Sequence, residues 1–193
     1  MSAGLRAATI EDAPHIAEVL LSSRRAFLPY APLAHTDAEV RQWVREVLVP
    51  SGGVTVASTD SGIVGVLATA RESNVSWINQ LYVAPGRTGQ GIGAKLLAHA
   101  LASLEPPVRL HTFQANLRAR SFYERHGFKA IAYSNGAGNE EHCPDVLYEL
   151  ASSHGVIEEH MYVLAVLDLS TSSAFYLDVL GFEIRELAKG WLM

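Results

Sequence analysis

Cysteine, basic charge and long apolar runs are all scarce in this sequence, and each scarcity removes a class of protein. One cysteine, Cys143, stands among 193 residues, so no disulfide can close within the chain and no thiolate-rich metal site can form. Lysine and arginine number 15 against 20 aspartates and glutamates, for a formal net charge of −5. With those cations scattered, the chain lacks the phosphate-neutralising surface of a nucleic-acid binder. No run approaches the ~20 apolar residues that span a bilayer, and the first six residues lack the basic-then-apolar order of a secretory leader. A cytoplasmic protein with neither nucleic-acid nor membrane partners is the expectation. What is present is a globular balance of 49% apolar and 18% charged residues, enough for one full domain and a remainder too short for a second ordinary one.

Periodicity and turn chemistry predict elements in the order β α α β β β α β α β β. Residues 5–10 read as a first strand, and Glu11-Asp12-Ala13-Pro14 supplies the acids and proline that suit the first turn of a helix running to about Arg25. Residues 27–33 form a proline-broken, unusually apolar loop. Thr36-Asp37-Ala38-Glu39 then has the spacing of a capping box for a second helix through about Leu48. Runs at 54–58, 63–71 and 75–83, parted by Asp60-Ser61-Gly62 and Glu72-Ser73-Asn74, predict an antiparallel meander. Residues 94–104 carry leucines at helical spacing and stop before Pro106-Pro107. A strand at 108–113, a helix at 117–126 closed by Gly127, and strands at 128–133 and 146–150 complete the set. Strand-helix-strand crossovers within an otherwise antiparallel set define an α+β fold: a mixed, mostly antiparallel sheet flanked by helices.

The most informative stretch is Leu81-Tyr82-Val83-Ala84-Pro85-Gly86-Arg87-Thr88-Gly89-Gln90-Gly91-Ile92-Gly93-Ala94, a strand passing through a glycine-rich turn into a helix. Alternate glycines let successive N–H groups converge, and the helix N-terminus adds unpaired donors and the positive dipole end, so a pyrophosphate fits. The Gly-Lys-Ser/Thr of a Walker loop is missing. A relaxed dinucleotide fingerprint, Gly89-x-Gly91-x-x-Ala94, wants an acid at the end of the next strand, where Leu110-His111-Thr112-Phe113 stands instead.

Arg87-Thr88-Gly89-Gln90-Gly91-Ile92-Gly93 followed by Lys95-Leu96-Leu97 resembles the acyl-CoA pyrophosphate loop of the GNAT family of N-acetyltransferases. Thr88 departs from the family's usual Gln or Arg, and Arg87 stands one place early. Asn116-Leu117-Arg118-Ala119-Arg120-Ser121-Phe122-Tyr123-Glu124-Arg125-His126-Gly127-Phe128 resembles the same family's Asn-x-x-Ala-x-x-Phe-Tyr-x-x-x-Gly-Phe signature. The resemblance covers residues 1–151 and implies acetyl-CoA as co-substrate, no metal, and a small-molecule or peptide amine as acceptor. Backbone groups of Leu81, Tyr82 and Val83 would meet the pantetheine arm and the acetyl carbonyl. Thr88, Gly89, Gln90, Gly91, Ile92, Gly93 and Ala94 would hold the pyrophosphate. Asn116 and Ala119 would line the cofactor arm, and Tyr123 would protonate the leaving thiolate.

No general base stands out, since Asn79 and Gln80 occupy the strand where many relatives carry an acid; His111 and Glu141 are the further candidates. The loop at 27–35 and the final hairpin, with Glu140 and Glu141, are expected to set the acceptor. A non-catalytic acyl-CoA sensor is one alternative; a protein that modifies or sequesters an antibiotic is another, suggested by the tail. There, Val166-Leu167-Asp168-Leu169 and Ala174-Phe175-Tyr176-Leu177-Asp178-Val179-Leu180-Gly181-Phe182-Glu183 resemble the opening of a glyoxalase/bleomycin-resistance module. Residues 152–193 are thus expected to form a partial β-α-β segment, with strands at 161–167 and 182–187. That family's metal-ligand position falls at Met161, beside His160. So short a unit cannot bury its own apolar face, so docking on the first domain or exchange with a second chain to form a homodimer is expected.

Overall fold

A computed structural model describes residues 3–151 and, near the C-terminus, residues 186–188 and 191–192. The chain divides into two compact units, Met1–Ser153 and His154–Met193. In the first, β1 (Gly4–Ala7), β2 (Val54–Thr59), β3 (Gly62–Glu72) and β4 (Val75–Val83) lie side by side as an antiparallel run. The sheet continues through β5 (Val108–Phe113) and ends with β6 (Lys129–Tyr133) outside β7 (Asp145–Leu150).

The one parallel junction of this sheet, β4 with β5, is short. The strands pair only at Ser76↔Val108 and Trp77↔Arg109, after which β4 runs on to Val83 and β5 to Phe113 without meeting again. Opposite this point the β3–β4 register shifts between Ala68 and Thr69, whose partners are Gln80 and Ile78, leaving Asn79 as the extra residue of a bulge. A bulge bends its strand and increases the local twist. Here it carries β4 away from β5 and opens a wedge in the middle of the sheet.

Helices fill both faces. On one, α1 (Ala13–Phe27) lies over the sheet with α2 (Asp37–Trp43) beside it, and Ile16, Leu20 and Val44, the residue after α2, pack against Val56 and Val66. On the other, α3 (Ile92–Leu101) and α4 (Leu117–Arg125) bring Leu96, Leu97 and Tyr123 against Leu67, Leu110 and Tyr148. Double coverage explains why Val64 to Ala68 is buried without alternation, the pattern of a strand with core on both sides. Gly65 permits the close approach of α3, because a Cβ there would lie 2.9 Å from Leu96 Cδ1 and 3.0 Å from Ile92 Cγ2.

Element order and class follow the sequence, with local corrections. The first strand stops at Ala7 rather than Ile10, because the Asp12 carboxylate accepts the Thr9 N–H at 2.9 Å and pairs with Arg6, turning Ile10–Asp12 into a 3-10 turn. The Thr36 capping box forms as expected, with Glu39 N–H donating to Thr36 Oγ1 and Thr36 N–H to Glu39 Oε2. The single helix expected through Leu48 instead ends at Trp43 and continues as a π-helical turn, Val44–Leu48. α3 begins two positions before the expected Ala94 and ends at Leu101. Ser73 and Asn74 both adopt positive φ, 47° and 65°, the twist that a tight hairpin requires.

Of the expected β-α-β appendage, the strand and helix placed between 161 and 180 lie outside the described residues. Of the second expected strand, 182–187, residues 182–185 lie outside the described residues, and Glu186 and Leu187 fall in β8 (Glu186–Ala188), paired antiparallel with β9 (Trp191–Leu192).

Candidate active site

The glycine loop lies where β4 leaves the sheet. Pro85–Arg87 makes one 3-10 turn, and the chain then passes through Gly89 (φ 78°) and Gly91 (φ 77°), the residue that caps α3. A left-handed φ is costly for any residue with a Cβ, which is the local reason for both glycines. The N–H groups of Thr88 to Gly91 donate to no described backbone acceptor, and the first turn of α3 adds its own unpaired donors. Nothing lies within 4 Å of where a Cβ would stand on Gly89 or Gly91, so the concave face of the loop is open to a ligand.

That face bounds a cavity of about 410 Å³ between β4, the end of α1, the N-terminal end of α3 and one side of α4 along its length. Of the residues expected from sequence to hold acyl-CoA, Leu81, Tyr82, Val83, Thr88, Gly89, Gly91, Ile92, Gly93, Ala94, Asn116, Ala119 and Tyr123 all line it. Gln90 does not. Its side chain turns to the Gly86 carbonyl, at 3.4 Å. Asn116 also has a structural duty: its Oδ1 caps α4 by accepting the Ala119 N–H at 3.1 Å, which leaves its amide nitrogen and one oxygen lone pair for a ligand. The Val83 carbonyl already accepts from Ser23 Oγ at 2.8 Å.

Arg87, Arg118, Arg125 and His126 line the same cavity, and no described lining residue is acidic. The Arg118 guanidinium rests 5.2 Å over the Phe27 ring, and Arg125 and Arg87 donate to Ser121 Oγ and Ser61 Oγ. A cavity with this lining attracts and retains a polyanion. Arg118, Arg125 and His126 were not singled out from sequence, and Phe122 only as a position of the second motif. Their spacing of four, three and one along α4 places them on one helical face, a signal that was legible.

Across the wedge lies a second cavity, of about 610 Å³, bounded by Ile78 to Tyr82 of β4, His111 to Phe113 of β5, the end of α1 and the β6–β7 loop. The two cavities share Leu28, Leu81, Tyr82, Asn116, Ala119 and Tyr123. They therefore meet where β4 has lost its neighbour and Tyr123 projects from α4. The Tyr123 ring is wedged among Phe122, Phe128 and Tyr148, with centroids 5.2, 5.6 and 6.4 Å away. Burial, with a smaller contribution from neighbouring Tyr82, pushes the Tyr123 phenol pKa well above its ordinary value. Burial thus favours the protonated phenol.

His111 and Glu141 both line the second cavity but differ in engagement. Glu141 is held by Arg24 at 2.8 Å. His111 stacks parallel to Trp77 at 5.8 Å, with Nδ1 3.8 Å from Asp145 Oδ2. Asp145 is itself fixed by Ser134 Oγ at 2.6 Å and Asn139 Nδ2 at 2.9 Å. Neither Arg24 nor Asp145 was identified from sequence, because their partners are brought together only by the fold. Tyr82 was expected to contribute its backbone. Its phenol lines the second cavity as well, its pKa raised by burial against the opposing charge of nearby Arg24. Among the described residues no three of His, Cys, Asp and Glu gather as a metal-binding set, and no described helix is long and apolar enough to cross a membrane.

A strand–glycine loop–helix bounding one cavity, and a second cavity that meets it at Tyr82 and Tyr123, form an arrangement suited to group transfer. Residues 50–130 match the family described as acetyltransferase (GNAT) domain. An uncharacterized N-acetyltransferase of Archaeoglobus fulgidus is 30% identical over 148 residues, spanning 70% of this chain and 99% of that one. The chain belongs to the GNAT family and is an acetyltransferase. The peptidyl-lysine N-acetyltransferase YjaB of Salmonella typhimurium is 34% identical over 98 residues, which are 50% of this chain and 63% of that protein. Among solved structures, the PaiA N-acetyltransferase of Thermoplasma acidophilum in complex with coenzyme A shares the fold at 22% identity and a TM-score of 0.61. That match covers 78% of this chain and 99% of that one.

Proposed function

We propose that the chain transfers an acetyl group from acetyl-CoA to the primary amine of a small molecule or peptide, by direct attack of the amine on the thioester. The observation that carries this reading is the meeting of the two cavities at Tyr123, beside the unpaired edge of β4. The glycine loop and the first turn of α3 hold the pyrophosphate, and Arg118, Arg125 and His126 meet the remaining anionic groups. The pantetheine arm lies along the free β4 edge from Leu81 to Val83. A backbone N–H there receives the carbonyl oxygen as it gains negative charge. Tyr123 gives its proton to the departing thiolate.

The amine must lose a proton as it attacks. His111 takes it, directly or through one water: it lines the acceptor cavity, Trp77 holds its ring, and Asp145 provides the counter-charge for the imidazolium that forms. The acceptor cavity supports turnover over the alternative of a sensor that only binds acyl-CoA, since a sensor needs no second chamber. Thiol release from acetyl-CoA against a mixed amine panel tests the proposal. Wild type should release CoA only with amine, and Tyr123→Phe should lower kcat at least about tenfold with CoA binding intact, the scale expected for losing a positioned acid. Binding of CoA without release against any amine would leave the sensor standing.

A further inference from the structure

We infer that the acceptor is a small free amine taken whole into the second cavity, not a lysine or N-terminus presented on a protein or a peptide chain. The inference rests on the acetyltransfer reading and follows from how two walls of that cavity are joined. One wall is the end of α1 with the loop after it, and the opposite wall is the β6–β7 loop. The two walls are tied together. Arg24 of α1 and Glu141 of the loop both line the cavity and bond across it at 2.8 Å, with less than a fifth of either side chain exposed. Farther out, His35 Nε2 meets Glu140 Oε2 at 2.9 Å, and Cys143 Sγ reaches the Tyr30 carbonyl at 3.8 Å. The Tyr30 ring abuts Phe113 of β5 edge-on, at 6.3 Å.

The β6–β7 loop is also stiff. Asn139 bonds the Cys143 carbonyl through Nδ2 and receives the Cys143 N–H on Oδ1, while its Nδ2 also reaches Asp145. A Cβ on Gly136 would lie 2.3 Å from the Cys143 carbonyl carbon, so the loop folds back on itself without slack. A lysine enters by its side chain alone, with main chain running both ways from its Cα outside the cavity, and an N-terminus carries main chain on one side. The tied loops narrow the room for that chain. A molecule of a few carbons meets no such obstacle, and about 610 Å³ receives it entire. The lining has two carboxylates, Glu141 and Asp145, against the single guanidinium of Arg24, so the ammonium form of such an amine is drawn in rather than repelled.

The test is kcat/KM from CoA release by the full chain with n-butylamine, 1,4-diaminobutane and spermidine, set against an N-acetylated lysine hexapeptide and a hexapeptide with a free N-terminus. At least one small amine should exceed both peptides by about 30-fold or more, a discrimination that steric exclusion readily supplies. Loosening the outer tie with Glu140→Ala and His35→Ala, both exposed positions, should narrow that ratio by raising peptide turnover in absolute terms. Brisk release with either peptide, equal to or above the small amines, overturns the inference and leaves acetyltransfer intact. CoA bound without release for every acceptor removes both.

Discussion

The proton chemistry of this enzyme is decided by where single side chains stand. Tyr123 keeps its proton because burial disfavours the phenolate, so no alkaline limb of kcat should arise from it below about pH 10, the ordinary value for a phenol. His111→Asn is expected to lower kcat/KM about 100-fold, within the usual range for a general base. An unchanged rate would move the base elsewhere. Far from the site, Asp12 bonds Arg6 and Thr9, and the Arg6 guanidinium is the main reason its pKa falls to about 2 from 3.8. A carboxylate depressed in the folded state contributes stability above its unfolded pKa and loses it as pH falls through the folded one. Urea midpoints should therefore hold steady above about pH 5 and decline between about pH 4 and 2. Asp12→Asn should lower the plateau and flatten that decline.

At the scale of elements, the decisive features are a strand that stops pairing and a helix that starts on a left-handed glycine. The glycine loop was legible because both requirements, positive φ and open space, select glycine and leave spaced letters in the sequence. Gly91→Ala separates them from the ligand. A Cβ there touches nothing, so folding should suffer only the backbone cost of a left-handed alanine, about 1 kcal/mol. The KM for acetyl-CoA should rise about tenfold as a backbone bond to the pyrophosphate is lost. Calorimetry and steady-state kinetics on one preparation check both halves. The wedge between β4 and β5 was not legible. Asn79 and Gln80 read as polar strand residues standing in for an acid, whereas Asn79 is the bulged position that turns β4 away. Bulges depend on cross-strand register, which one strand does not record.

For the whole molecule, the first unit contains both cavities and every residue assigned a role above. A chain ended after Ser153 is expected to unfold cooperatively and to retain CoA release within about twofold of the full chain, as removal of a separate unit should allow. Light scattering on both forms tests the exchange expected from the short apolar tail: a dimer that becomes a monomer supports it, and an unchanged mass ends it.

The sequence by itself determined the order and class of the elements, the anion-binding turn and the phenol of the second motif. Each is local, written in periodicity, in glycines with forced φ, or in the spacing along one helix. The tertiary structure alone decided the two-sided cavity, the tie of Arg24 to Glu141, the partnership of His111 with Asp145, and the cationic rim facing the glycine loop. Those groups come from segments as far apart as residues 24 and 141. Only the sheet order, with β5 set between β4 and β7, brings them within bonding distance.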